Sequence, residues 1–402
     1  MSNSTENKLI DSGRPLIFRV ADPESLGLTA PKNRLGNAIR SSVRSLTVFQ
    51  KEALVTSGRT GLSWRFASDE GPYLMGHDEA PAPLAYLTTG MVSSYMSEIV
   101  ALSKSRNIDI QNIRLIQDNF YTMQGSMQQG TMTAGAKDVE LEVQIKSDAD
   151  KSILTTLAYD AVSASPLNGL MRGEKESLFT LTHNGKPVEP DKALEMDSEP
   201  LSDPLASFPD ATPAEGNWKD HLVRGPLTPR NQNSTSSTGS SLQDQQSRIL
   251  HLRGICTLRK DGTKLIEQQL FNPNGSIFYF LSDEGIEDGG QGRAPDAASY
   301  ISAGIAFCFM TQFGRYAKMV KKDLKAYRVT QDSHFTLGGA SGKTSKAGEA
   351  DPLETHVYLD SGESDEFART ALDISEQTCF LHAFCRTALK ARIKVSELTK
   401  AA

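Results

Sequence analysis

The sequence predicts an α+β chain: two tandem copies of one domain, with antiparallel-rich sheets and two long central helices, paired as an intramolecular pseudo-dimer. Three observations carry this. The chain is too long, at 402 residues, for one ordinary core. One half repeats in the other at a fixed offset. A polar segment that cannot bury a core separates the two.

The repeat is clearest at an offset of 214 residues, which lays Asp69 over Asp283. Phe66-Ala-Ser-Asp-Glu-Gly71 then lies over Phe280-Leu-Ser-Asp-Glu-Gly285, and Ala80-Pro81 over Ala294-Pro295. Tyr86 meets Tyr300, Gly90 meets Gly304, Met96 meets Met310 and Thr122 meets Thr336. Arg172 still meets Arg386. Register held without a gap from Gly61 to about Leu181 marks duplication. Residues 189–246 are rich in Pro, Ser, Asn, Asp and Thr and read as a flexible linker. That leaves 1–47 as an irregular N-terminal extension, 48–188 as copy one and 247–402 as copy two.

Each copy opens with a strand, Leu62–Phe66 and Ser276–Phe280, which turns at Asp-Glu-Gly. A long apolar segment follows, Pro83 to about Arg106 and Asp296 to about Lys322. Apolar residues on more than one face, among them Met91, Tyr95, Ile305, Phe309 and Met310, predict buried central helices. Strands come next: Ile113–Ile116 with Val139–Ile145, and Tyr327–Val329 with Thr355–Leu359. A second helix runs from about Asp150 to Met171, and from about Ser364 to Ala388. Leu178–Thr182 and Ala391–Val395 close the copies as strands.

A net charge of −6 without long runs argues against nucleic acid or an anionic membrane as partner. The N-terminus has no apolar signal core, no run reaches membrane-spanning length, and four cysteines do not make a disulfide scaffold. A cytoplasmic protein is expected. Seven scattered histidines without Cys-x-x-Cys predict no metal site, and no cofactor is expected. Gly338-Gly-Ala-Ser-Gly-Lys343 lacks the spacing of a phosphate loop.

The cysteines carry the chemistry. Cys308 lies on the central helix of copy two and Cys379 on its second helix. Alone, each reads more readily as a buried apolar thiol. Their counterparts at the 214-residue offset are Ser94 and Ser165, so both thiols are missing together from copy one. Joint replacement by serine fits a redox couple, in which losing one thiol removes the use of the other. Cys256 and Cys385 read as structural.

This layout, one cysteine on a long central helix and a second on the following helix, resembles the OsmC/Ohr family of thiol-dependent organic hydroperoxide reductases. Ser165-Pro-Leu-Asn-Gly-Leu170 is similar to the family's second-cysteine motif with Ser for Cys, whereas copy two keeps Cys379 and replaces the proline by Phe380. The resemblance spans most of both copies. It implies that Cys308 attacks a peroxide, that Cys379 resolves the product as a disulfide, and that a dithiol reduces it. It further implies a small hydrophobic substrate and a site between paired copies. Ser57-Gly-Arg-Thr-Gly61 resembles the family's arginine-bearing hairpin, so Arg59, whose copy-two counterpart is Pro273, is expected to reach across to Cys308. The family's carboxylate ahead of the cysteine helix is absent, since the position reads Ala297-Ala298, with Asp296 nearby. His382, one turn after Cys379, is a candidate base. Two other classes stay open: a hydrolase or isomerase using the pocket between the copies, and a binding protein without catalysis.

Overall fold

The computed structural model describes residues 6–47, 49–229 and 240–398. In chain order the elements are α1 (Lys8–Asp11), β1 (Ile17–Arg19), β2 (Gly36–Thr47), β3 (Gln50–Ser57) and β4 (Ser63–Ser68). Then come α2 (Pro83–Ser105), β5 (Asn112–Ser126), β6 (Thr133–Ala136), β7 (Val139–Lys146), α3 (Lys151–Ala164), α4 (Gly169–Arg172), β8 (Leu178–His183) and β9 (Lys186–Val188). The second half holds β10 (Leu222–Leu227), β11 (Gln245–Leu258), β12 (Lys264–Asn272), β13 (Ser276–Ser282) and α5 (Ala297–Met319). It ends with β14 (Leu324–Thr336), β15 (Glu354–Ser361), α6 (Asp365–Thr378), α7 (Phe380–Arg386) and β16 (Ala391–Glu397).

The strands form two sheets, ordered β1-β4-β3-β2-β14-β15-β8-β9 and β10-β13-β12-β11-β5-β7-β16, with β6 also on β5. Pairing is antiparallel except for β15 with β8 and β16 with β7. Each sheet draws strands from both halves of the chain. The seams are long: β2 pairs β14 from Gly36↔Thr336 to Arg44↔Arg328, and β11 pairs β5 from Gln245↔Ser126 to Thr257↔Arg114. Helix α5 packs on β2, β3 and β14, α2 packs on β5, β11 and β12, and the two helices pack on each other. Met91, Tyr95, Ile305, Phe309 and Met310 are all fully buried there. At the crossing Gly90 faces Ile301, and Gly304 faces Leu87 and Tyr86. Tyr86, Phe280, Tyr300 and Phe66 interlock edge to face across the same layer.

Three expectations are corrected. Residues 36–47, read as part of an irregular extension, form β2 in the middle of a sheet. Their Arg and Ser positions mimic a polar loop, but Ala38, Ile39 and Val43 are fully buried and strands on both sides take up the backbone groups. The stretch read as a flexible linker is ordered over 189–229: Phe208, Ala211, Trp218 and Leu222 are buried, and β10 pairs with β13. The serine-rich core of that linker, 231–239, lies outside the described residues. Finally, each second helix is broken, at Ser165 and at Cys379, both of which adopt extended backbone (ψ 124° and 118°). Among the described residues, no helix is long and apolar enough to cross a membrane.

Candidate functional site: a buried thiol pair

The break at Cys379 makes it both the end of α6 and the N-cap of α7, where its sulfur accepts the His382 N–H at 3.5 Å. Cys308, in the middle of α5, lies beside Cys379 and the Leu381 N–H, both near enough to shift its thiol. Both sulfurs therefore sit against the first turn of α7. Cys308 is 2% exposed, Cys379 is fully buried, and neither is in a disulfide. In the other half Ser94 and Ser165 make the matching contact, Oγ to Oγ at 2.7 Å.

Burial pushes the Cys308 thiol well above its ordinary range, and the neighbouring Cys379 sulfur and the Glu70 carboxylate push it the same way. The Leu381 N–H opposes this without reversing it. At neutral pH Cys308 rests as a thiol, on the wall of a cavity of about 30 Å³ that must widen to admit an organic ligand. Leu84, Leu250, Leu270 and Phe380 supply apolar lining, and Glu70, Arg248 and Arg315 supply charge.

Glu70 crosses from the first half. It accepts the Tyr73 hydroxyl at 2.6 Å and the Thr311 hydroxyl at 2.9 Å, and Thr311, one turn after Cys308, accepts Lys51 Nζ at 2.9 Å. Lys51 also donates to the Phe49 carbonyl at 2.7 Å. Burial dominates both groups, raising the Glu70 pKa and lowering that of Lys51, against their mutual attraction. The same arrangement recurs opposite Ser94, where Lys264 bonds Ser97 at 2.6 Å and Glu284 at 2.7 Å.

Arg59, expected at Cys308, lies elsewhere. With Asp296 it lines a polar cavity of about 50 Å³ on the Ser94 side. The β3–β4 hairpin tip shares that cavity with Ser94 of its own half, and Arg59 is held there by Asp288 at 2.9 Å and Glu287 at 2.6 Å. Asp296 is the N-cap of α5, taking the Ser299 N–H at 2.7 Å, and burial pushes its pKa up to about 6. Nor is His382 a base for the thiols. Its ring stacks on Phe309 at 4.7 Å, neither ring nitrogen has a partner among the described residues, and burial pushes its pKa down to about 3. Its backbone, rather than its imidazole, serves Cys379. Cys256 and Cys385 are buried, both pushed up to about 12 by burial.

Glu70, Lys51, Thr311, Arg248 and Arg315 escaped the sequence reading. One signal existed: the repeated Ser-Asp-Glu-Gly. Its aspartate does make the turn, since Asp69 accepts the Glu70, His77 and Glu79 N–H groups. The glutamate beside it points inward in both halves. The glycine-rich loop at 338–343 also has a use, for Ala340 and Ser341 give their N–H groups to the Glu98 carboxylate at 2.8 and 3.2 Å.

The arrangement defines an α+β protein with one buried cysteine on a cavity wall and a second beside it. Residues 290–395, which carry both cysteines, match the family model described as OsmC-like protein. No curated protein matches the chain. Among solved structures, an OsmC-like hydroperoxide resistance protein from a Jannaschia species is 21% identical over 32% of this chain and 79% of its own, with a TM-score of 0.18.

Proposed function

We propose that the chain is a fused pair of OsmC-like domains, an intramolecular pseudo-dimer, whose second half reduces organic hydroperoxides through Cys308 and Cys379. The observation that carries this reading is Cys379 beside Cys308, with only Cys308 on the cavity wall. The exchange of strands between the sheets and the matching serine contact support the pairing of two copies.

Cys308 sulfur attacks the outer oxygen of the hydroperoxide, the O–O bond breaks, and the alkoxide leaves as the alcohol after taking the thiol proton. Glu70, at the same cavity, is the side chain able to hold that proton in passage. Cys308 is left as a sulfenic acid. Cys379 sulfur then displaces hydroxide, which departs as water with the Cys379 proton, and a disulfide forms. A dithiol supplies the two electrons and two protons that restore both thiols. The apolar lining suits an organic substituent on the peroxide.

Intact mass after one equivalent of cumene hydroperoxide is the test. A loss of two hydrogens is expected, with Cys379→Ser halting at a sulfenic acid trappable by dimedone. An unchanged mass with thiols still titrating would refute the reading and return the site to hydrolytic or purely binding roles.

A further inference from the structure

The Cys308 cavity holds more positive charge than its own acids balance. Arg315 lies two turns beyond Cys308 on α5 and is 2% exposed. Its guanidinium donates to the Ser241 carbonyl at 2.9 Å, Gln312 Oε1 at 3.3 Å, and the Met132 and Met123 sulfurs at 3.0 and 3.9 Å. All four acceptors are neutral. Arg248 donates through Nη1 to the Ser241 hydroxyl, and its buried Nε has no partner among the described residues. Neither guanidinium forms an ion pair among the described residues. Glu70 shares the cavity, but its oxygens already accept Tyr73 and Thr311.

A buried guanidinium without an anion is costly, and natural cores pair such groups. Burial pushes Arg315 down to about 9 and Arg248 down to about 10, and the charge of Arg248 adds to the depression of Arg315. The other half lacks this imbalance. By strand register, in which Arg253 pairs with Asp118 as Arg40 pairs with Asp332, Arg248 corresponds to Leu35, and at the 214-residue offset Arg315 corresponds to Ala101. The unmatched charge belongs to the half that carries the thiols.

We infer that Arg248 and Arg315 form an anion seat in the Cys308 cavity, which selects ligands bearing a carboxylate. The Ser241 carbonyl and hydroxyl hold the two guanidiniums in the unliganded chain. A carboxylate displaces them, because it accepts from both arginines with charge-assisted bonds that a serine cannot match. The ligand's other end then faces Cys308. Two sources carry such a group: an acid-bearing hydroperoxide, and an acid-bearing dithiol that reduces the disulfide. The inference deepens the proposed peroxide chemistry, but the seat is measurable without it.

Calorimetric titration of the full chain carrying Cys308→Ser, with 4-isopropylbenzoate and with its neutral amide, reads the seat with no redox step. The acid is expected to bind at least about tenfold tighter, and Arg315→Gln or Arg248→Gln to erase the difference. Circular dichroism checks that each variant is folded, and the two act independently. Equal affinity of acid and amide, no binding of either, or a preference that survives both variants would overturn the seat. With the wild-type chain, cumene hydroperoxide against its para-carboxylate, and dihydrolipoamide against dihydrolipoate, separate the sources. The arm with a roughly tenfold charge preference names the ligand, and equal rates in both arms overturn the selection. If no peroxide oxidises the pair, the peroxide reading fails alone and the titration still decides the seat.

Discussion

Replacing Gly304 with alanine should drive the two central helices apart. A methyl group there would lie 2.8 Å from the Leu87 nitrogen, 2.9 Å from the Tyr86 Cβ and 3.0 Å from the Pro83 carbonyl. Carbon atoms pack comfortably at about 3.5–4.0 Å, so the Tyr86 contact is roughly 0.6 Å too short at least. The obstacles are backbone atoms and a Cβ, which no rotamer change can move. Overpacking of this kind costs about 1–3 kcal/mol, and the rigid neighbours argue for the upper end. The better helix propensity of alanine returns about 1 kcal/mol. The expected net loss is about 2 kcal/mol. At about 2.1 cal/mol/K per residue, the unfolding entropy of a 402-residue chain turns that into a fall of about 2–3 °C in Tm. Gly90→Ala meets the Ala297 carbonyl at 2.6 Å and should behave alike, while the double variant should cost less than the sum, because one separation relieves both clashes. Scanning calorimetry is the assay. A Gly304→Ala chain that melts at or above the parent temperature would mean that the helices do not cross this closely, and the paired-core reading would fall with it.

The thiol should be slow to alkylate at pH 7, with a rate still climbing above pH 9, because burial, Cys379 and Glu70 all disfavour the thiolate. Glu70→Gln should speed iodoacetamide modification at a fixed pH, and a wild-type plateau below pH 8 would contradict the site. Arg59→Ala should leave that rate unchanged, since Arg59 stands with Asp288 on the Ser94 side; a tenfold change either way would misplace it. His382 stays neutral in the fold, with a pKa pushed down to about 3, whereas the unfolded chain protonates it below about 6.5. It should therefore subtract stability as pH falls from about 6.5 toward 3, by up to about 1.4 kcal/mol per pH unit. His382→Phe, which keeps the ring against Phe309, should flatten that acid limb in urea melts, and an unaltered limb would refute the burial of the imidazole. Asp118 contributes in the same direction. Its folded pKa is lowered, against burial, by His251 and Arg253, so the stability it lends is present above its unfolded pKa and lost as pH falls through the folded one.

Much of the fold was legible because it rests on local information. Apolar residues on every face of Pro83–Ser105 and Ala297–Met319 announce buried helices, and a 214-residue offset aligns both their starts and their ends. The serine pair opposite the cysteine pair could be read from that offset alone, and Ser94 and Ser165 indeed touch. Strand β2 was missed for the converse reason. Its arginines and serines look solvated until Asp332 and Glu52, from neighbouring strands, are seen to pair with Arg40 and Arg44.

The order of helices and strands on either side of the polar segment, and the positions of the thiols, could be read from the chain alone, because periodicity, caps and residue identity act over a few positions. What meets the thiols emerges on folding. Glu70 reaches Thr311 across 241 positions and Lys51 across 260, while Arg59 stays with the serines of its own half. No local pattern encodes such pairings. They follow from two sheets that trade strands and bring distant carboxylates and cations to the middle of one helix, where burial rather than sequence neighbourhood sets their charge.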